Sequence, residues 1–318
     1  MGLAKNWGSA KNLIRFRAFC SHACRAFGAA LFLLAGTVGA AHAATGSRLD
    51  RTQLVTTFED NFDVFDAVDP NDPVTEQTGT WKTWHPFGST PFALVSRTFP
   101  NNGEMQTYID KHFPVSGPRT IPNRAHTIRD GVLLLQAERA GPDMRRRIYN
   151  RRYTSAMISS WGRFSQRYGV FEMRAKLPAG KGLWPAFWLL QDNSGGPPEI
   201  DIFEFLGQTP TTLHTTMHSL AGGRRTGATR AVQTVDLTKD FHTFTLDWSP
   251  QNLVYYIDDV EVARFPTAGD MHAPMYIIAN LAVGGKWPGA PDASVVFPAA
   301  FEIDWIRVHR RAPAPRGG

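Results

Sequence analysis

The sequence predicts an all-β sandwich, and three observations carry that prediction. Apolar and polar residues alternate with period two in many short runs. Turn-forming glycine, proline, asparagine and aspartate separate the runs. No long stretch repeats its apolar residues at helical spacing. Residues 44–318 are long for one domain, but sandwiches reach this size, and neither an internal repeat nor a linker-like tract interrupts them.

In chain order, residues 1–43 read as a secretory signal. Lys5, Lys11, Arg15, Arg17 and Arg25 make a basic, acid-free leader, followed by an apolar run from Ala29 to Ala41. Ala41-His42-Ala43 has the small-x-small form of a cleavage site. The apolar run is too short to span a bilayer comfortably. Cleavage near Ala43 and a secreted or periplasmic product free of the membrane are therefore expected, rather than an uncleaved anchor. Both cysteines, Cys20 and Cys24, lie in this leader, so the mature chain would have neither a disulfide nor a cysteine metal site. Five of the 34 basic residues and none of the 28 acidic ones leave with it, so 29 face 28. The high isoelectric point is thus no argument for nucleic-acid binding, and no recognition motif replaces it.

A short N-terminal extension, 44–54, leads into a domain expected over 55–310. Strands are expected at 131–137, 171–177, 241–248 and 301–308. The runs 253–257 and 260–265 flank Asp258-Asp259, a two-residue hairpin turn in which aspartate takes a place that favours glycine. The Pro- and Gly-rich end, 311–318, reads as a disordered tail.

The chemistry concentrates in Glu199-Ile200-Asp201-Ile202-Phe203-Glu204. Glu199 and Asp201 share a strand face. Glu204, five residues from Glu199, would point the other way in a regular strand. One extra residue among Ile202, Phe203 and Glu204, a β-bulge, returns it to their side. Two carboxyls on one face suit cleavage of a glycosidic bond: one protonates the leaving oxygen while the other attacks or activates water. A solvated strand face or a metal site are the alternatives for this pattern alone. Upstream, in Gly182-Leu183-Trp184-Pro185-Ala186-Phe187-Trp188-Leu189-Leu190, Trp184 and Trp188 share one face and could stack on sugar rings.

Together, G-x-W-P-A-F-W-L-L and E-I-D-I-F-E resemble glycoside hydrolase family 16, over roughly residues 55 to 310. The resemblance implies a bent, concanavalin A-like β-jelly roll with a concave substrate cleft. It implies a retaining endo-β-glycanase of the bulged, laminarinase-like branch, acting on β-1,3 or β-1,3-1,4 glucans or related bacterial exopolysaccharides. Glu199 then matches the nucleophile, Asp201 the assisting carboxylate and Glu204 the acid/base. Asn102, in a segment with Glu104 and Tyr108, together with Asn280 and Trp287, matches cleft-lining positions. His218 falls on the strand after the catalytic one, near Asp201 or Glu204; with His214 it makes only a weak metal pair. No cofactor is required, but family members often carry a structural Ca²⁺, whose side-chain ligand matches Asp304. A polysaccharide is the expected partner, and a monomer the expected state. Two departures stand out: Met157 occupies a sugar-contacting arginine's place, and the acidic strand is entered through Gly195-Gly196-Pro197-Pro198. Arginine-rich segments at 139–152 and 224–230 could rim the cleft and attract an acidic polysaccharide, or simply be solvated. A transglycosylase, a non-catalytic carbohydrate-binding protein and a structural protein are the rival readings, because fold alone does not fix function.

Overall fold

The computed structural model describes residues 46–113, 124–192 and 196–312. The expected leader, 1–43, and residues 313–318 of the expected tail lie outside that range. So does Gly195 of the segment that enters the acidic strand.

Two sheets form the domain. The strands are β1 (Leu54–Asp60), β2 (Gln106–Tyr108), β3 (His126–Arg129), β4 (Val132–Arg139), β5 (Tyr153–Ser155), β6 (Met157–Ser159), β7 (Ser165–Gln166), β8 (Gly169–Lys176) and β9 (Leu183–Gln191). They continue with β10 (Glu199–Phe205), β11 (Thr212–Ser219), β12 (Thr226–Gln233), β13 (His242–Trp248), β14 (Asn252–Ile257), β15 (Val260–Pro266), β16 (Met275–Val283) and β17 (Ala299–Arg311). The ten-stranded sheet runs β15-β14-β13-β8-β17-β4-β5-β2, with β1 on β17 and β3 on β4. The seven-stranded sheet runs β12-β11-β10-β9-β16-β6, with β7 on β16. The α-helices among the described residues have six residues or fewer, as the missing helical period predicts.

The alternation read from sequence decides which side chains meet between the sheets. Phe187 and Leu189 of β9, Ile277 and Ala279 of β16, and Phe301 and Ile303 of β17 are fully buried in one core. Large-to-small changes at such sites typically cost about 2–5 kcal/mol. The Asp258-Asp259 hairpin forms as expected, with φ of 49° and 67° at its two central residues.

Both ends of the domain differ from expectation. Residues 46–53 are part of the fold. Leu49 is buried against Val170, Val254 and Tyr256 on the outer face of the ten-stranded sheet, and Arg51 bridges Glu172 and Asp259, at 2.7 Å to each. At the other end Arg311 closes β17 and pairs with Asp247 at 2.5 Å. The Ala312 N–H donates to the Gln53 carbonyl at 2.7 Å. The sequence reads 44–54 as an extension leading into the domain and 311 as the start of the tail, but charge pairing across the outer face holds residues 46–53 and Arg311.

Candidate active site

The cleft lies on the seven-stranded sheet and encloses about 530 Å³. Its floor is built from the polar-facing half of β9, β10 and β16. Register places Glu199 opposite Leu190, Asp201 opposite Trp188, and Glu204 opposite Ala186. Between Asp201 and Phe203 that register slips by one residue against β9, and between Asp201 and Glu204 against β11. This is the expected bulge. Ile202 and Phe203 are adjacent in sequence, yet both are buried in the inter-sheet core. Glu199, Asp201 and Glu204 therefore all line the cleft.

Burial sets their protonation. It pushes Glu199 up to about 6, while the positive charge of Arg225 and a hydrogen bond from Asp201 hold it back. Glu204 is pushed up to about 7, first by burial and then by the negative charge of Glu199. The buried Trp184 indole N–H makes no hydrogen bond, but it lies close enough to Glu204 to oppose the rise slightly. Asp201 is raised well above its ordinary value, by burial and then by both glutamates. Near neutral pH the strand thus presents a mostly ionised Glu199 and a Glu204 about half protonated, with Asp201 between them driven toward its neutral form. The three titrate as one coupled group.

His218 sits opposite Glu199 in the β10–β11 register, and its Nε2 lies 3.6 Å from Asp201 Oδ2. His214 is opposite Glu204, but its ring meets Trp287 edge-on at 4.8 Å. The two histidines thus turn to different partners and do not form a metal pair. Glu199, Asp201 and His218 come within 4.8 Å of one another, but the charge of Arg225, felt by all three, opposes a cation there.

The other expected residues also line this cleft or its rim. Trp184 is half-buried and meets Trp287 edge-on at 5.6 Å, while Trp287 is 43% exposed. Trp188 is no open platform. Only 8% exposed, it donates its indole N–H to Asn280 Oδ1 at 2.8 Å, and Asn280 donates to the Tyr108 hydroxyl at 3.1 Å. The pair fixes the floor. The Asn102 carbonyl accepts from Lys286 N–H at 2.8 Å, tying its loop to the Trp287 loop. Met157 is fully buried beside Tyr108 and Trp188, so an apolar side chain packs where the family pattern places an arginine.

Sequence reasoning missed several lining groups. Phe87, Val95 and Phe99 come from a stretch of loops and one four-residue helix, too short to show a period. Gln106 was legible as one more alternate polar position after Asn102 and Glu104. Its amide donates to buried Glu104 at 2.6 Å and accepts from Val283 N–H at 2.9 Å. Of the two arginine-rich segments, only Arg225 lines the cleft. Arg139 lies over the Phe297 ring, 5.0 Å from its centroid, and Arg151 donates to the Glu104 carbonyl at 2.7 Å. Asp304 lies on β17 of the other sheet and forms an ion pair with Arg174. One of its carboxylate oxygens is thus already matched by an internal cation, leaving the other for any Ca²⁺.

The described geometry agrees with comparisons to known proteins. Residues 121–307 match the model of the glycosyl hydrolases family 16. The chain is 35% identical to the endo-1,3-1,4-beta-glycanase EglC of Rhizobium meliloti over 262 residues, covering 82% of this chain and 53% of the relative. It is 36% identical to a beta-glucanase of Rhodothermus marinus over 204 residues, covering 57% of this chain and 68% of the relative. The laminarinase catalytic domain of Thermotoga maritima superposes with a TM-score of 0.63 at 28% identity, covering 82% of this chain and all of that domain. The chain spans about half the length of the first of these relatives.

Proposed function

The chain belongs to the glycosyl hydrolases family 16, and from that premise we propose that it is a retaining endo-β-glycanase hydrolysing internal β-1,3 or β-1,3-1,4 linkages. The carrying observation is the bulge, which brings Glu199, Asp201 and Glu204 to one cleft face with divided proton affinities. The names of the relatives, an endo-1,3-1,4-beta-glycanase and a beta-glucanase, support the substrate class.

Glu199, the more acidic of the two glutamates, attacks the anomeric carbon as a carboxylate. Glu204 gives its proton to the departing glycosidic oxygen, and a glycosyl ester forms on Glu199. Esterification removes the negative charge that had raised the proton affinity of Glu204. The proton affinity of Glu204 then falls, so once it has given up its proton it stays a carboxylate, able to take a proton from the attacking water. Water attacks the anomeric carbon, the ester breaks, and both glutamates return to their starting forms. Asp201 holds its own proton toward Glu199 and steadies the carboxylate. Trp184 and Trp287 form an aromatic corner for sugar faces.

Secretion is part of this reading, resting on the basic leader and apolar run; among the described residues no helix is long and apolar enough to cross a membrane. A monomer suffices, since one chain supplies every group named. The test is direct. Purified protein should cut laminarin or mixed-linkage β-glucan internally, and the first product should have the β configuration by proton NMR. Glu199→Gln should abolish this while leaving the fold intact. Near-normal turnover by that variant, or an α-configured first product, would overturn the assignment.

A further inference from the structure

One charged group in the cleft has no place in the steps above. Arg225 lines it beside Glu199 and Asp201. It is exposed, and among the described residues it has no recorded hydrogen bond or ion pair of its own. Its position is nevertheless built. The β11–β12 hairpin turns through Gly222 and Gly223, with φ of 74° and 76°, values that glycine adopts without strain. Asp270 pins the start of that turn, accepting from Ser219 Oγ at 2.7 Å and from Leu220 N–H at 2.6 Å. At its end Gly227 lies opposite His218 in register. A Cβ there would come within 3.0 Å of both His218 Nδ1 and the Met217 carbonyl. The close approach of the two strands holds Arg225 at the Glu199 end of the acidic row.

We propose that Arg225 is a positioning residue whose guanidinium keeps Glu199 ionised for attack while leaving Glu204 free to hold its proton. The inference rests on the glycanase reading above. Its selectivity comes from placement. Arg225 adjoins Thr226, which pairs with Ser219 next to the His218 that faces Glu199, whereas Glu204 faces His214 toward the other end of β11. The charge of Arg225 accordingly favours the ionised form of Glu199. The remaining titratable neighbours work differently. Asp201 and Glu204 share β10, and His218 and His214 face it from β11. Tyr276 of β16 feels Glu199 and Asp192, and Tyr255 of β14 feels Asp201. Both tyrosines are neutral throughout the working range. Arg225 is therefore the permanent cation acting on Glu199, working with the hydrogen bond from Asp201 against the burial that favours the neutral form.

The experiment is the pH profile of kcat/KM for wild type, Arg225→Gln and Arg225→Lys, at fixed ionic strength on a neutral β-glucan. Removing the charge should move the acidic limb to higher pH by roughly 0.5–1 unit, less than a close buried charge would give because the guanidinium is exposed and screened by solvent. Below that limb, activity should fall about 3- to 10-fold. The basic limb should stay in place, so the bell narrows. Arg225→Lys should restore the wild-type limb. A limb unmoved in Arg225→Gln overturns the proposal, as does an equal shift of both limbs. So does a rise in KM confined to a carboxylated glucan with both limbs unmoved, which would assign Arg225 to substrate recognition. A second readout needs no turnover. Carbon-13 NMR of labelled glutamate carboxyls, comparing Glu204→Gln with Glu204→Gln/Arg225→Gln, should show the Glu199 titration moving to higher pH. That result stands even if the wild-type protein proves inactive on every glucan, so failure of the glycanase reading is distinguishable from failure of the Arg225 role.

Discussion

Replacing Glu204 by glutamine should cost activity and add stability, and the second effect depends on pH. The carboxyl's proton affinity is raised from about 4.5 to about 7, mainly by burial. A group whose folded affinity is raised contributes its full stability below the unfolded value and loses it as pH climbs through the folded one. At pH 4 the wild-type side chain is neutral in both folded and unfolded chains, and glutamine resembles it. At pH 8 it is ionised in both, and folding must then bury a charge. About 2.5 units at 1.36 kcal/mol each puts that cost near 3 kcal/mol. Glutamine carries no such charge. Urea unfolding from pH 4 to pH 9 should show equal stabilities for Glu204→Gln and wild type at the acid end. The variant should gain about 2–3 kcal/mol at the alkaline end, with the difference growing between pH 5 and pH 7. Turnover should fall by about 10²–10⁴, the usual contribution of a general acid. A stability difference that does not vary with pH would refute the buried, proton-loaded Glu204 on which the acid role depends.

Three further outcomes follow from the same geometry. The wild-type pH profile of kcat/KM should be a bell, rising near pH 6 as Glu199 ionises and falling near pH 7 as Glu204 loses its proton; activity that stays flat up to about pH 9 would leave Glu204 without its role. Deleting Ile202 should straighten β10 and keep the second glutamate on the cleft face at an even spacing. The shortened protein should melt lower but retain more activity than Glu204→Gln; complete inactivity in a folded variant would count against the bulge argument. Because Arg174 already pairs with Asp304, EDTA should change the melting temperature of the calcium-equilibrated protein little, and more in Arg174→Gln. A fall of several degrees in wild type, the effect of a ligand at about a hundred times its dissociation constant, would show Ca²⁺ bound alongside the arginine.

The sequence alone determined the sandwich and the acidic face. Period-two alternation is a local property, and burial on one side of a sheet enforces it, so β4, β8, β13, β14 and β15 were readable within a residue or two, and β17 all but its C-terminal end. The bulge was readable for the same reason. Glutamates an odd five positions apart on a half-buried strand leave either one acid in the core or one extra residue in the strand, and the apolar Ile202-Phe203 pair favours the second. Only tertiary structure decided the rest. Trp188 reads as an open platform from its spacing, but Asn280, 92 residues away, takes its N–H and sets it into the floor. Arg145, Arg146 and Arg147 look like a cleft rim, yet it is Arg225 that faces the carboxylates, because the β11–β12 hairpin is pinned by Asp270. The proton affinities of Glu199, Asp201 and Glu204 were likewise invisible as numbers. They depend on burial and on the charge of Arg225 brought from the β11–β12 hairpin, and desolvation is a property of the packed cleft rather than of any stretch of chain.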